Sequence, residues 1–513
     1  MTAPAIMVQG TASSVGKSLI AAALCRLLSR QGLRVAPFKA QNMALNSYVT
    51  PDGAEIGRAQ AVQALAARSV PSAQMNPVLL KPEGNSRSQV VVLGKPIGSM
   101  KAAEYQAYKP RLRTLIADCL GQLRAEYDAV VIEGAGSPAE INLKPGDIVN
   151  MDVARRANVP VILVGDIDRG GVFASFVGTM ELLDPEERKL VAGFLINKFR
   201  GDPALLSSGL EFLLQRTGIP VLGVVPHIPD LRIPDEDSVS LDSRTRRRER
   251  RAGTLDIAVL RLPRISNYDD VEALEHESET VVRFVSAPED AAEADLVIVP
   301  GSKSTVADLA WLRERGLADL LLARARTGRP VLGICGGCQM LGASIEDPLG
   351  VESAEAAVEG LGLLPLVTRF GREKRTAQVR AELLHASFLG DGSIVTGTVS
   401  GYEIHMGMVE AVAEAAAPFR VVERNGTSAD SRDGAIGAGG AVVGTMLHGL
   451  LENAPVRAHL LRWLRDRAGL AHPHAKPVPT TDAELDRLAD TVAASVEIPR
   501  LWRLMTSWTG NRP

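Results

Sequence analysis

Cysteine, aromatic side chains and net charge are all scarce in this sequence. Of its 513 residues only four are cysteine, aromatic residues make up 4%, and the net charge is −3. So few cysteines exclude a disulfide-stabilised secreted scaffold and fit a reducing compartment. A nearly balanced charge provides no basic field for nucleic acid, so we expect no nucleic-acid partner.

Long apolar runs are also missing. No stretch reaches the roughly 18 apolar residues that span a bilayer, and residues 1–9 lack a basic leader followed by an apolar core. We therefore expect a cytoplasmic protein without a membrane partner. The sequence carries no signal for an oligomeric state.

The length and the spacing of apolar segments predict two α/β domains. A chain of 513 residues exceeds one ordinary core. Apolar segments of strand length alternate with helix-like stretches, which indicates βαβ units and mainly parallel sheets. These segments are Ala5–Val8, Leu33–Phe38, Ala129–Ile132, Val159–Val164, Gly193–Ile196, Val221–Val225, Leu255–Leu260, Leu296–Val299 and Val331–Ile334.

A short basic run, Arg244–Arg251, interrupts this alternation. It is isolated, so we interpret it as a solvated linker rather than a nucleic-acid patch. The predicted division is a first domain over 1–235, a linker over 236–253, a second domain over 254–470 and a helical tail over 471–513.

The first motif is a predicted phosphate-binding loop near the N-terminus. A strand-like segment runs into a loop that ends in Gly-Lys-Ser and is followed by a helix-like segment. Backbone N–H groups of such a loop and the helix N-terminus attract phosphate, while the lysine reaches the terminal phosphates and the serine binds Mg²⁺. A Gly/Ser turn before a helix is the plainer alternative. The residues that we expect around ATP are Gly10, Thr11, Ser13, Gly16, Lys17 and Ser18.

The second motif is a predicted nucleophile elbow at Cys335. A buried-type strand runs into Cys335, and small residues on both sides allow a sharp turn into a helix. The N–H of Gly336 can then help to bind an oxyanion, and the helix N-terminus favours the thiolate. Cys335 and Cys338 also form a C-x-x-C pair, so a redox pair or half of a zinc site remains an alternative.

The spacing G-x-C-x-G-x-Q resembles that of class I glutamine amidotransferases. The resemblance implies that Cys335 is the nucleophile, that Gln339 helps to hold glutamine, and that Gly301 and Ser302 form a second oxyanion-binding loop. It also places the general base late in the domain, which favours His448 over His405. Many such enzymes carry a glutamate two residues after this histidine, whereas this sequence has Leu450.

The first domain resembles ligases similar to dethiobiotin synthetase, which activate a carboxylate with ATP. Thr11 and Ser13 in the loop carry this resemblance, and the extra lysine of partitioning ATPases is absent. The resemblance implies that Lys39 meets the substrate carboxylate and the γ-phosphate. It further implies Mg²⁺ ligands at Ser18, Glu55 and Glu133, and an adenine contact at Asn197. Ordinary surface or turn positions are the alternative for each.

Six segments spread over the chain resemble the cobyric acid synthase family, namely FKAQNMALNSYVTPDGAEIGRAQ, NPVLLKP, DLRIPDEDSVSL, LPRISNYDDVEAL, PGSKST and GYEIHMG. The resemblance implies an ATP-, Mg²⁺- and glutamine-dependent ligase that amidates the b, d, e and g carboxylates of an adenosylated cobyrinic acid a,c-diamide. Cobyrinic acid itself and a cell-wall carboxylate remain alternative substrates. A switch ATPase with a binding-only amidotransferase domain is the alternative from another class.

Overall fold

The computed structural model describes residues 2–84, 86–234, 253–390, 397–412, 414–472 and 479–510. Two six-stranded sheets with helices around them form the centres of two α/β units. The predicted linker over 236–253 lies outside the described residues except for Gly253. Across the described ranges, no helix combines the length and the apolar character needed to cross a bilayer.

The first unit is built on a parallel sheet whose strands are almost fully buried. Its strand order is β12-β11-β10-β1-β9-β2, and every neighbouring pair is parallel. Continuous apolar runs suit such strands because helices cover both faces of the sheet. A smaller sheet, β3-β6-β7-β8, and the hairpin β4-β5 are inserted after β2. The strands are β1 Ala5–Gly10, β2 Val35–Phe38, β3 Gln41–Met43, β4 Ser47–Val49, β5 Glu55–Gly57, β6 Val78–Gly84, β7 Arg87–Val92, β8 Lys95–Lys101, β9 Ala129–Glu133, β10 Val161–Asp166, β11 Val191–Phe199 and β12 Val221–Pro226.

The second unit combines a mainly parallel sheet with an antiparallel one. The order of the first is β14-β13-β15-β16-β24-β23, in which only β23 runs antiparallel to its neighbour. The second has the order β18-β17-β19-β21-β22, with β20 paired to β19. The strands are β13 Leu255–Leu260, β14 Thr280–Val285, β15 Leu296–Val299, β16 Val331–Ile334, β17 Ser344–Glu346, β18 Ala357–Glu359, β19 Leu366–Leu383, β20 Thr398–Ala411, β21 Phe419–Arg424, β22 Thr427–Asp433, β23 Ala435–Gly437 and β24 Val442–Thr445.

Helices cover both parallel sheets. In the first unit they are α1 Lys17–Arg30, α2 Arg58–Ala66, α3 Ala102–Glu126, α4 Met151–Ala157, α5 Val172–Leu182, α6 Pro185–Leu190 and α7 Ser207–Thr217. In the second unit they are α8 Glu272–Glu275, α9 Pro288–Ala291, α10 Thr305–Glu314, α11 Leu317–Arg326, α12 Gly336–Leu341 and α13 Ala454–Ala468. Two further helices follow, α14 Thr481–Ser495 and α15 Ile498–Thr506.

The C-terminal helices return to the first unit. Leu485, Leu488 and Val492 of α14 share a buried cluster with residues of α1 and of the parallel sheet. Gly223 of β12 forms an isolated bridge with Val496. The tail therefore completes the core of the first unit, after the chain has passed through the second.

The hairpin β4-β5 lies in the seam between the units. Val49 packs with Tyr402 and Ile404 of β20 in a small buried cluster. The backbone N–H of Ser47 donates to Asn267 Oδ1 across the seam at 3.0 Å. The first unit thus contacts the strand and the loop that build the second unit's site.

Candidate active sites

The predicted phosphate-binding loop lies between β1 and α1. Gly16 precedes the helix with φ 98°, a left-handed conformation that glycine adopts without steric cost. The Nζ of Lys17 donates to the carbonyl oxygens of Ala12 and Gly136, each at 2.9 Å. Lys17 therefore reaches from one side of the loop to the turn after β9, over the place where phosphates are expected.

The carboxylate of Glu133 accepts hydrogen bonds from the polar side chains beside this loop. Its Oε1 accepts from Ser18 Oγ and from Lys39 Nζ, each at 2.9 Å, and its Oε2 accepts from Gln63 Nε2 at 2.5 Å. Both Lys39 and Glu133 are buried. Three residues predicted for this site are thus brought together from the ends of β9 and β2 and the start of α1.

This group of oxygens fits magnesium. Mg²⁺ in phosphoryl-transfer sites binds one or two protein oxygens and completes its shell with phosphates and waters. Ser18 Oγ and the Glu133 carboxylate provide one hydroxyl and one carboxylate side by side. Among the residues that the structure describes, no group of three or more His, Cys, Asp or Glu side chains could hold a metal ion.

A cavity of about 740 Å³ opens next to these residues. Ser13, Gly16, Lys17, Ser18 and Lys39 line it, together with Gln41, Asn42 and Met43 from β3. Gly10 and Thr11 do not line it; they lie where β1 ends, and Thr11 N–H donates to Val164 O at 2.9 Å. The cavity therefore joins the loop to the segment that leads to the hairpin β4-β5.

The predicted Mg²⁺ ligand Glu55 lies in the seam between the two units. Its Oε1 accepts from Ser47 Oγ at 2.8 Å and from Lys81 Nζ at 2.7 Å, and its Oε2 pairs with Lys374 of the second unit. Although burial raises the pKa of Glu55, the two ammonium groups outweigh it and hold the pKa well below its usual range. Both oxygens are engaged in the seam, and the Mg²⁺ role of Glu55 stays a prediction, as do those of Ser18 and Glu133.

Asn197, predicted to contact adenine, braces the phosphate-binding loop. It follows the buried part of β11, and its Nδ2 donates to Val15 O at 2.8 Å. The neighbouring Lys198 lines the cavity and donates to Ser14 O at 2.8 Å. The adenine contact stays a prediction, and the structure adds a role for Asn197 in fixing the loop.

In the second unit, Cys335 occupies the turn between β16 and α12. Its φ of 50° and ψ of −108° are strained for a residue with a Cβ. Such a turn presents the side chain at the carboxyl end of the sheet. The Sγ lies 3.7 Å from the carbonyl oxygen of Ile404.

His448 and Asp270 complete a triad with Cys335. The Nδ1 of His448 lies 2.7 Å from Asp270 Oδ2, and Asp270 Oδ1 accepts from the N–H of Gly449 at 2.7 Å. Burial lowers the pKa of His448, but Asp270 and Cys335 outweigh this effect and hold the pKa well above its usual value. The ring of Tyr402 stacks on the imidazole with 5.2 Å between centroids. Asp270 thus orients the imidazole, a role that the buried apolar side chain of Leu450 cannot fill.

The residues predicted for oxyanion binding lie beside this triad. A Cβ built on Gly301 would come within 3.1 Å of His448 Cε1, and one built on Gly336 within 2.7 Å of Ser302 N. The loop after β15 and the turn after β16 are therefore in close contact. Two backbone N–H groups at such a junction can stabilise a developing negative charge.

Gln339 and His405 are also buried, Gln339 one helical turn after Cys335 and His405 next to Ile404. Gln339 lies on α12, and its Oε1 accepts from Thr305 Oγ1 at 3.3 Å. The Nδ1 of His405 lies 2.7 Å from Gly407 O, and burial lowers the pKa of His405 to about 4. A neutral imidazole bound in this way contrasts with the charged environment of His448.

Cys338 shows no feature of a redox partner. It is fully buried on α12, and all four cysteines of the chain are free thiols. Burial raises the pKa of Cys338 well above its usual value, so it is held as a thiol.

Comparison with known proteins agrees with this two-site geometry. Residues 6–241 match the family described as the CobQ/CobB/MinD/ParA nucleotide binding domain, and residues 256–456 match the CobB/CobQ-like glutamine amidotransferase domain. A cobyric acid synthase of Sorangium cellulosum is 62% identical over 98% of this chain and 99% of the relative. One of Moorella thermoacetica is 49% identical over 99% of each chain, and one of Dehalococcoides mccartyi is 48% identical over 98% of each.

The chain belongs to the cobyric acid synthase family.

Within this cobyric acid synthase fold, Asp270 is the functional residue that the sequence did not reveal. It lies in the segment LPRISNYDDVEAL, which carries part of the family resemblance. Two adjacent aspartates in that segment were the available signal, but nothing local distinguishes them. Asp269 pairs with Arg58 of the first unit at 3.1 Å, whereas Asp270 turns to His448.

Proposed function

We propose that the chain uses ATP and glutamine to amidate the b, d, e and g side-chain carboxylates of an adenosylated cobyrinic acid a,c-diamide. Glutamine and the corrinoid are its small-molecule partners. Membership of the cobyric acid synthase family supports the reaction class. The observation that carries the proposal is that one chain holds both a Lys39–Glu133–Ser18 group beside a phosphate-binding loop and a Cys335–His448–Asp270 triad.

The triad supports release of ammonia from glutamine. His448 takes the proton from the Cys335 thiol, and the thiolate attacks the amide carbon of glutamine. In this proposal the N–H groups of Gly336 and Ser302 stabilise the oxyanion. The protonated His448 then gives its proton to the leaving nitrogen, so ammonia departs and a thioester remains. Water hydrolyses the thioester to glutamate and restores the thiol.

The first unit supports activation of a substrate carboxylate. A carboxylate is a poor electrophile, so its oxygen first attacks the γ-phosphorus of ATP to give an acyl phosphate and ADP. In this proposal Lys17 and Lys39 hold the phosphates and the attacking carboxylate together, which supplies much of the rate. Mg²⁺ held by Ser18 and Glu133 would neutralise phosphate charge. Ammonia then displaces phosphate and leaves the amide.

Mass spectrometry of the products tests this function most directly. The protein is incubated with ATP, Mg²⁺, glutamine and one of several corrinoids, and each amidation replaces a carboxyl group by an amide. We expect stepwise conversion of the a,c-diamide up to four amidations, with glutamine and ATP consumed in proportion. Amidation of cobyrinic acid alone would indicate the alternative substrate. ATP turnover without corrinoid or glutaminase would indicate a switch ATPase.

A further inference from the structure

The hairpin β4-β5 of the first unit covers the glutaminase site of the second. Val49 packs on Tyr402 and Ile404, the residues whose ring stacks on His448 and whose carbonyl faces Cys335. Any displacement of this hairpin therefore reaches the triad directly.

Asn267 connects the hairpin to the base. It is buried and has a left-handed backbone with φ 51° and ψ 44°. Its Oδ1 accepts from the N–H of Ser47 at 3.0 Å, and its Nδ2 lies 3.4 Å from His448 Nε2. Because a backbone N–H can only donate, the contact with Ser47 fixes the amide so that its NH₂ group faces His448.

An amide NH₂ group at Nε2 opposes the function of the base. Nε2 of the neutral imidazole has one lone pair, which must accept the proton of Cys335. When the ring is neutral, the N–H donor of Asn267 competes for that lone pair. When the ring is protonated, Nε2 carries its own N–H, and two donors then face each other. Asp270 favours the protonated ring from the other side. Asp270 thus favours the protonated ring of His448, whereas Asn267 disfavours it.

The segment that carries Ser47, the partner of Asn267, begins at the cavity beside the phosphate-binding loop. Gln41, Asn42 and Met43 line that cavity, and Ser47 follows a few residues later on β4. The backbone of Asn46 on the same segment accepts from the N–H of Arg58, whose side chain pairs with Asp269. A ligand that fills the cavity can therefore act on the Ser47–Asn267 contact through a few residues of backbone.

We propose that Asn267 is a positioning residue through which the ATP-binding unit holds the glutaminase base at rest. With Ser47 docked, the Asn267 amide faces Nε2 and shifts the proton balance towards the Cys335 thiol. When β4 withdraws, the amide can turn, and its Oδ1 then accepts from the protonated Nε2. Glutamine hydrolysis is thereby coupled to occupancy of the first unit. This inference rests on the glutaminase role proposed above.

The test removes the side chain without straining the backbone. Asn267→Gly suits the positive φ and deletes the amide. We expect glutamine hydrolysis without ATP or corrinoid to rise by about 5-fold, the size of one lost hydrogen bond. The rate of Cys335 alkylation by iodoacetamide, followed by peptide mass spectrometry, should rise in parallel because the thiolate is more populated. Ammonia-dependent synthesis should stay unchanged, which also reports that the chain is folded.

Two companion variants sharpen the result. Asn267→Asp keeps an acceptor for Ser47 and presents an oxygen to Nε2, so it should raise both rates at least as much. Thr376→Val removes a 2.6 Å hydrogen bond to Gly53 O that helps to hold the same hairpin, so it should raise both rates, but less than the Asn267 variants do. Unchanged or lower rates in both Asn267 variants would overturn the proposal. A wild-type protein without glutaminase activity under any condition would instead overturn the proposed function.

Discussion

At the scale of single residues, the surroundings of each histidine decide which one serves Cys335. His448 has a carboxylate on Nδ1 and a pKa well above the usual value. His405 lies nearby on β20, but its Nδ1 faces a backbone carbonyl and its pKa falls to about 4. Of the two histidines, His448 is the one whose surroundings stabilise a protonated ring.

We predict that His448→Ala loses glutamine hydrolysis and that His405→Ala keeps a measurable part of it. The reason is that burial outweighs the nearby carboxylate of Glu403 and lowers the pKa of His405 to about 4, so its ring stays neutral. Thioester formation with labelled glutamine measures both variants. If the thioester formed in His448→Ala but not in His405→Ala, the base would have to be reassigned to His405.

Asp270→Asn should slow glutamine hydrolysis by about 100-fold, less than the loss of the acid costs a serine hydrolase, because a thiol needs less activation. Asp270 raises the pKa of His448, so its neutralisation lowers that pKa. The protonated ring is then lost at lower pH, and the alkaline limb of the glutaminase pH profile should move to lower pH.

Ammonia-dependent synthesis provides the control for this variant, since it bypasses the triad. Asparagine has nearly the same shape as aspartate and can still accept from Gly449 N–H. A pH profile that keeps its alkaline limb in Asp270→Asn would show that another group sets the pKa of His448.

At the scale of secondary-structure elements, strand ends explain which site residues could be predicted. Glu133 and Cys335 lie at the ends of buried apolar strands, and His448 follows soon after a third. Parallel strands bring such ends to one edge of the sheet, so their proximity follows from the pattern. The bounds of the strands before Glu133 and Cys335 agree closely with the predicted segments Ala129–Ile132 and Val331–Ile334.

Other elements could not be predicted because their partners are remote or their composition is polar. His448 and Asp270 are separated by 178 positions, and Asp270 follows a loop rather than a strand. Strand β19 includes the charged segment GREKR, which lacks the alternation of a half-buried strand. The surroundings of Glu55 could not be predicted either, because its lysine partner Lys374 comes from the other unit.

The helix α14 should stabilise the first unit through buried charge. The Arg26 side chain on α1 is fully buried and pairs with Asp482 and Asp486. Replacing both aspartates by asparagine leaves this guanidinium without a counter-ion. We expect the free energy of unfolding to fall by about 2 to 3 kcal/mol, below the value for a fully enclosed pair because both carboxylates reach solvent.

Urea unfolding followed by tryptophan fluorescence measures this effect, because Trp502 and Trp508 pack against the buried cluster that α1 and α14 share. Asp490→Asn is the matched control. Asp490 is largely exposed and pairs with Arg30 at the surface, so its loss should cost less than about 1 kcal/mol. Equal effects of the two changes would remove the buried arginine as the cause.

At the scale of the whole molecule, two reactions are separated in space and joined by one seam. Lys17, Lys39 and Glu133 belong to the first unit, and Cys335, His448 and Asp270 belong to the second. Between them lie the hairpin β4-β5 and the buried group of Glu55, Lys81 and Lys374. This arrangement implies that ammonia made at one site is consumed at the other.

That division of labour makes the two sites separable by mutation. Lys17→Ala should abolish synthesis from glutamine and from ammonia alike, because carboxylate activation precedes both. Cys338→Ser should keep both activities, since its buried thiol takes no part. Together with Cys335→Ser, these two variants test whether the two sites work separately.

The measurement that tests the account most directly is amide synthesis by Cys335→Ser, with glutamine or with ammonium at raised pH as the nitrogen source. Serine is nearly isosteric with cysteine, so the second unit should fold and dock, but its hydroxyl is a far weaker nucleophile. We predict loss of glutamine-dependent synthesis and retention of ammonia-dependent synthesis. Equal loss of both activities in a folded Cys335→Ser protein would contradict the two-site account.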